Sequence, residues 1–530
     1  VKRAYDVFSK FKANLPTPQI AGIRTPKRSY SSCCLVDVDD TMSSIFSSNH
    51  AVGEAVANRY GIGINFGRIR PIGSAIRNGE VVHTGVIPFL KIFEATTKSC
   101  QQNGIRGASA TVNFPFWHPE IEDILVLKNN GGTEENRVRK LDYVIQLTKL
   151  FYERFISNDT ITLFSPHDVP ALYEAFGTPE FDAMYRMYEG APEFKNNKRV
   201  KARELMTLLV KERVETGRIY IMHMDHVQSH SAWAKKVNMT NLCVEVVQPT
   251  VPIKDINDPD GEIGICVLGA VNVNEITSDK DHEHTREIIV RMLDALIDYQ
   301  TYFALAAKNF ITKRRSLAVG LNGLAGWLAK KGLRYSDSET PNAVSELQEK
   351  QSYFLYRASV QLAKEFGPCE KFADSKFSQG ILPIDTYKKE VDAVVTAAPV
   401  MDWEGLRAEI LEFGMRHSTL TAQMPCESSS VTSNATNGVE PAREALSYKK
   451  SKSGSIPMLV PGYEKYKKNY QFAYEIGDNT HVLNVVAAIS KWIDMGISTN
   501  VYYRYGDYPD GKLPDMVVIK DILYAYKMGI

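Results

Sequence analysis

The stretch Asn241-Leu242-Cys243-Val244-Glu245 constrains this chain most, because it sets an amide, a thiol and a carboxylate on alternate residues. If it is extended, a side-chain period of two sends Asn241, Cys243 and Glu245 to one side, while Leu242 and Val244 anchor the other in apolar packing. Successive polar groups then stand about 7 Å apart and can engage neighbouring positions of one small substrate. The same five residues also suit a half-buried strand with a structural cysteine, since a free cysteine behaves as a small hydrophobe. Other parts of the chain must choose between the two.

With 44% hydrophobic and 24% charged residues, the 530-residue chain has an ordinary globular composition and enough apolar content for a large core. Its 63 Lys and Arg against 62 Asp and Glu leave a formal charge of +1, which gives no electrostatic argument for a nucleic-acid or membrane partner. Any anionic ligand must be held locally. Cysteines at 33, 34, 100, 243, 266, 369 and 426 are too sparse and irregular for a disulfide framework and match no zinc spacing. No metal is therefore expected, and a reducing cytoplasm is the natural compartment. There is no apolar run of membrane-spanning length and no signal peptide.

Along the chain, residues 31–40 read as a strand, with Asp40 capping a helix that carries Ile45, Val52, Val56 and Tyr60. Gly61 to Gly67 is spaced too loosely for a dinucleotide fingerprint and reads as a strand or turn with close backbone approach. Arg68, Arg70 and Arg77 follow; they form a solvated face, or suit a nucleotide if a carboxylate such as Asp40 lies opposite. Residues 98–110 are small and polar, a loop able to change shape. A helical pattern covers Arg137 to Phe155, and Arg218 to Met222 reads as a strand. His223, Asp225, His226 and His230 are metal-like in type but not in spacing, so structural hydrogen bonding is expected of them. Residues 262–273 form a near-continuous apolar run, a buried parallel strand that carries Cys266. Ile288, Met292, Leu296 and Tyr299 share a helical stripe, and a last helix covers Asp521 to Met528. Residues 424–438 are dense in hydroxyls and backbone donors; opening a helix, such a loop can hold a phosphate. Alternating strand and helix signals indicate an α/β fold.

Nine collinear stretches, among them SYSSCCLVDVDD, RYGIGINFGRIRPIGS, ITLFSPHDVPALYEAF, NLCVEV, GEIGICVLGAVN and PCESSSVTSNATNGVEP, resemble the large (alpha) subunit of class I aerobic ribonucleoside-diphosphate reductase, of the enterobacterial and T-even phage type. The resemblance runs from about Thr17 to the last residues. It implies a ten-stranded α/β barrel with a central finger loop around 241–245, in one catalytic domain over 1–530 that is incomplete and lacks its last strand. Dimerisation and effector-binding helices and loops fall in about 40–110.

The resemblance further implies reduction of ribonucleoside diphosphates to 2′-deoxyribonucleoside diphosphates, the supply of DNA precursors, by thiyl-radical chemistry. Cys243 is then the radical residue, Glu245 the base on the 3′ hydroxyl and Asn241 its hydrogen-bonding partner, while Cys33 and Cys266 form the redox pair that closes to a disulfide. Thr17, Ser32, Asn241, Glu427, Ser428 and Ser429 match substrate-binding positions. Asp40, Arg70 and Arg77 match the specificity site for a deoxynucleoside triphosphate or ATP, at a homodimer interface, and Gln102 and Arg106 fall in the loop that relays the effector. No cofactor is bound directly. The radical comes from a small (beta) subunit with a dinuclear metal and a tyrosyl radical, and a thioredoxin- or glutaredoxin-type protein restores the dithiol. The enzyme is cytoplasmic, in the host cytoplasm if phage-encoded.

This chain departs from the pattern in several places. Cys34 doubles the single family cysteine, so the redox role belongs to Cys33 or Cys34 according to strand register. Cys426 replaces a serine of the phosphate loop. No ATP-cone precedes Val1, and the paired tyrosines and tail cysteines of the family do not follow Ile530, so a separate or missing C-terminal segment is expected to complete the enzyme. The alternatives are a non-catalytic deoxynucleotide-binding remnant and a cobalamin-dependent or glycyl-radical relative.

Overall fold

Short runs of buried β-branched and apolar residues, spaced by amphipathic helices, build one large sheet. The computed structural model describes residues 1–101, 107–451 and 454–530. Its principal strands are β1 (Ala13–Asn14), β2 (Cys33–Asp37), β3 (Gly61–Asn65), β4 (Ala110–Pro115), β5 (Asp142–Leu147), β6 (Ile219–His223), β7 (Gly264–Asn272) and β8 (Leu317–Asn322). They lie in the order β1-β7-β2-β3-β4-β5-β6, with β8 also paired to β7. Every residue of β2, β3, β4, β7 and β8 is buried, as expected for strands covered on both faces.

The helices are α1 (Met42–Ala57), α2 (Val86–Ser99), α3 (Lys149–Ile156), α4 (Ala202–Thr216), α5 (Asp279–Tyr299), α6 (Thr340–Phe366), α7 (Asn479–Ser490) and α8 (Asp515–Lys527). The largest apolar cluster draws on residues from Val7 to Ile522. Among the described residues no helix is long and apolar enough to cross a membrane.

Strands β2 to β6 are mutually parallel, and β7 and β8 are parallel to each other. The two blocks meet through an antiparallel pairing of β7 with β2, in the register Cys266 to Cys33, Ile265 to Cys34 and Gly264 to Leu35. Beyond β8, Thr421 bridges Val319 and Ile497 bridges Gln423, both in parallel, which carries the sheet on by two segments. One cavity is lined both by Tyr220 to His223 of β6 and by Met495 to Thr499, so the sheet has curled until its two edges approach. The sheet thus forms an α/β barrel with a seam between those edges.

Three local expectations change. Helix α1 is capped by Thr41, whose Oγ1 accepts the Ser44 N–H at 3.2 Å, because the Asp40 carboxylate is held by Arg70 instead. The helical pattern of 137–155 divides into β5 and α3. Tyr143, Val144 and Ile145 are buried in parallel pairing between β4 and β6, and that pairing overrides the local period. On α5 the fully buried stripe is Ile289, Leu293 and Ile297, while Tyr299 is exposed; the helix rolls by about one position to lay Ile289 and Leu293 over Gly269.

Candidate active site

The chain leaves β6 through a short helix, Met224–His230, and then threads into the barrel as a finger that returns to β7. Thr240 and Val247 form an antiparallel bridge, and residues 241–245 are its tip. The expected extended strand is therefore a turn. The Asn241 side chain folds it: its Oδ1 accepts the N–H groups of Glu245 at 3.1 Å and Val246 at 3.0 Å, and its Nδ2 donates to Glu245 Oε1 at 2.9 Å. Val244 takes φ of 66°, a left-handed conformation that is costly for a β-branched residue and persists where the surroundings impose it. The turn leaves Asn241 and Glu245 fully buried and Cys243 half-buried.

The barrel wall holds the finger with polar side chains. Asp37, Asn65 and Asn113 lie in register across β2, β3 and β4, and Asn65 Nδ2 donates to Asp37 Oδ1 at 2.7 Å. Asn113 Oδ1 accepts the Thr240 N–H at 3.3 Å, Thr111 Oγ1 donates to the Leu242 carbonyl at 2.8 Å, and Gln146 Nε2 donates to the Asn238 carbonyl at 2.7 Å. Gly63 of β3 faces the tip so closely that an added Cβ would lie 2.8 Å from Asn241 Cα. From the opposite wall, Gly496 N–H donates to the Glu245 carbonyl at 2.9 Å.

The tip opens on a cavity of about 680 Å³, which Cys33, Cys243 and Glu245 all line. Cys266 sits directly across the strand pair from Cys33, with its thiol in hydrogen-bonding contact with that residue. Register thus places Cys33 on the cavity side, while Cys34 is fully buried opposite Ile265. Burial, and then the neighbouring Cys33, push the Cys266 thiol well above its ordinary range, so Cys266 rests as a neutral thiol. Burial also lifts Glu245 to about 8, with Cys33 adding to the shift and the Asn241 hydrogen bond opposing it.

Thr17, Ser32, Glu427, Ser428 and Ser429 line the same cavity. The helix after this loop is only Ser429–Thr432, too short for a useful dipole, so the expected helix-opening phosphate loop is corrected to a loop closed by one turn. Cys426 is buried, its N–H donates to Asn437 Oδ1 at 2.6 Å, and burial pushes its thiol up to about 12.

Residues 31–530 match the family model described as "Ribonucleotide reductase, barrel domain". The chain belongs to the ribonucleotide reductase family. Over its whole length it is 48% identical to the ribonucleoside-diphosphate reductase subunit alpha of Haemophilus influenzae, of which it covers 71%. It is 46% identical to the ribonucleoside-diphosphate reductase 1 subunit alpha of Escherichia coli, covering 70%, and 44% identical to the subunit alpha of Enterobacteria phage T4, covering 71%.

In this reductase barrel the expected effector residues lie apart from the cavity. Arg70 Nε meets Asp40 Oδ2 at 2.6 Å, and Arg77 is exposed at the tip of a small hairpin, Ala75–Ile76 against Val81–Val82. Gln102 and Arg106 lie outside the described residues. Histidines of the 223–230 cluster form hydrogen bonds within the fold. His223 contacts Tyr152 OH at 2.7 Å, His230 sits between Thr386 Oγ1 at 2.9 Å and Ser490 O at 2.7 Å, and no metal-holding group occurs among the described residues. Sequence reading missed the belt Asp37, Asn65 and Asn113, and also Arg218, Tyr220 and Arg443 of the cavity wall. Part of the belt's signal was present: Asp37 and Asn65 are each the one polar group closing an otherwise apolar strand, while Asn113 lies inside its strand with Thr111 two residues before it.

Proposed function

We propose that this chain is the catalytic barrel of a class I ribonucleoside-diphosphate reductase, and that it makes deoxynucleotides through a thiyl radical on Cys243. The observation that carries the reading is the convergence of Cys33, Cys243 and Glu245 on one cavity, with Cys266 behind Cys33. One-electron oxidation of Cys243, with loss of its proton, gives a sulfur radical able to take the 3′ hydrogen of a ribose. Glu245 accepts the 3′ hydroxyl proton. Cys33 and Cys266 supply two electrons and two protons: one proton leaves with the 2′ hydroxyl as water, the other ends as the new hydrogen on C2′, and the two sulfurs close to a disulfide that awaits reduction by a thioredoxin-type protein. The hydrogen then returns from Cys243 to C3′. Ser428 and Ser429, with Thr17 and Ser32, hold the diphosphate and sugar end.

The unpaired electron comes from a small subunit. The seam between β6 and Ile497 supports docking of one more extended segment carrying the paired tyrosines, in the same polypeptide or a separate one. Its cavity reaches Val244 and Val247 of the finger, directly behind Cys243. Asp40, Arg70 and Arg77 form the effector site. The 60% exposed Met42 and 48% exposed Phe46 of α1, with Ile72 at 65%, support a homodimer across that face. Cysteines that form no disulfide among the described residues suit a reducing cytoplasm.

The test is turnover of cytidine diphosphate with small subunit, effector and dithiol, with and without a complementary tyrosine-bearing segment. Product is expected only with the segment and is expected to vanish in Cys243→Ser; retained turnover in that variant removes Cys243 from the mechanism. Effector binding without turnover in the completed enzyme would favour a non-catalytic remnant.

A further inference from the structure

The chain between Ile72 and Val86 forms a flap that closes on itself at its neck. Gly73 N–H donates to the His83 carbonyl at 2.9 Å, His83 N–H donates to the Ser74 carbonyl at 2.8 Å, and the hairpin bearing Arg77 projects beyond. One carboxylate grips both ends of the flap. Glu120 Oε2 accepts the Ile72 N–H at 3.1 Å where the flap begins and the Val86 N–H at 3.1 Å where it ends.

Val86 is the first residue of α2, whose cap position, Gly85 at φ of 87°, has no side chain to satisfy it. Glu120 therefore acts as a cap supplied from elsewhere in the chain; burial raises its carboxyl to about 7, opposed by the hydrogen bonds from Ile72 and Val86, and its oxygens accept those N–H groups in either protonation state. It is itself fixed. Its N–H donates to His118 Nδ1 at 3.1 Å, and His118 Nε2 donates to the Ile69 carbonyl at 2.9 Å, one residue before the Arg70 that holds Asp40. Burial pushes His118 down to about 4, which keeps the ring neutral in that tautomer. At its far end α2 stops at Ser99, immediately before the segment that carries the expected relay residues.

We propose that Glu120 is a positioning residue for effector readout, tying the flap that carries Arg77 to the helix that feeds the relay segment. This rests on reading Asp40, Arg70 and Arg77 as the effector site. Glu120 touches neither substrate nor effector. It makes flap closure over a bound nucleotide and the placement of α2 one mechanical event, because a single carboxylate terminates both.

The test measures dTTP affinity by equilibrium dialysis on the full chain for the wild type, Glu120→Gln and Glu120→Ala, alongside cytidine diphosphate affinity without effector. Glu120→Ala is expected to weaken dTTP binding at least tenfold while leaving effector-free diphosphate binding within twofold. Glu120→Gln keeps one acceptor oxygen and is expected to recover part of the loss. Should Glu120→Ala fail to fold, hydrogen exchange at Ile72 and Val86 in Glu120→Gln is expected to be faster than in the wild type and to lose its slowing by dTTP. Equal dTTP affinity and exchange in wild type and variants overturn the inference alone. A wild-type chain that binds no dTTP removes the effector reading, and this inference with it.

Discussion

Cys33 and Cys266 stand directly opposite each other at the antiparallel junction where the two parallel blocks of the barrel meet. Directly opposed residues of an antiparallel pair have the Cα separation that a disulfide needs, about 4.5–5.5 Å, so the bond can close with little backbone movement. Cys34, one residue along, points to the other face of β2 and cannot substitute. Mild oxidation followed by peptide mapping is expected to give a Cys33–Cys266 disulfide in the wild type and in Cys34→Ala, and none in Cys33→Ser. Cys34→Ala is expected to cost on the order of 1 kcal/mol as a small buried truncation while leaving turnover intact. A mapped Cys34–Cys266 bond would reverse the assignment.

Glu245 carries a pH signature. A base must be unprotonated to act, and burial raises this carboxyl to about 8 in the free enzyme. The kcat/KM of the completed enzyme is expected to climb with pH and level off above about 8, with a flat profile between pH 6 and 9 counting against the assignment. The stability effect has the opposite sign. The folded state holds this proton up to about pH 8 and the unfolded chain releases it near the ordinary 4.5, so the buried carboxyl destabilises the fold increasingly across that window. Glu245→Gln is expected to be inactive and to melt higher than wild type, by an amount that grows from pH 4.5 to 8 and then stays constant.

Gly63→Ala tests the close approach of the finger to β3. The added methyl would meet backbone at Asn241 Cα, which cannot rotate away as a side-chain end could. A cost of about 1–3 kcal/mol is expected in denaturant unfolding. The shift of the tip is expected to lower kcat by about 100-fold, as misplacement of a reacting group by about 1 Å does. Full activity in this variant would mean that the thiol's position tolerates such a shift.

Strand β7 was legible as a near-continuous apolar run and β2 as a strand, β3 reads as either strand or turn, and the cavity's thiols, carboxylate and serines were legible as motifs. The conformation of 241–245 was not. Alternation of side-chain type suggests a strand, but the Asn241 amide takes up the N–H groups of Glu245 and Val246 that a strand would offer to a neighbour. The choice between Cys33 and Cys34 was equally closed to sequence reading, since a slip of one residue inverts every side chain and only pairing with β7 fixes it. Asp37 and Asn65 were passed over because a lone polar residue at the end of an apolar run looks like the start of a turn, and Asn113 because a polar residue inside a strand looks like its solvent face. Their register across three strands exists only after the barrel has formed.

Asn113 gives the means to separate holding the finger from doing chemistry. Its Oδ1 takes the Thr240 N–H and its Nδ2 donates to the Ile64 carbonyl at 3.0 Å, all inside the barrel and away from the cavity surface. Asn113→Ala strips a donor and an acceptor from groups that stay buried, which costs about 1–3 kcal/mol for each group left unpaired. Thr111 and Gly496 still grip the finger from either side, so the tip loosens without leaving its place. On the proposed assignment of the diphosphate to the 427–429 loop, KM is expected to stay within twofold while kcat falls by at least tenfold. Steady-state kinetics of the completed enzyme make the distinction: a rise in KM with kcat unchanged would show that the finger binds substrate more than it aims the Cys243 thiol.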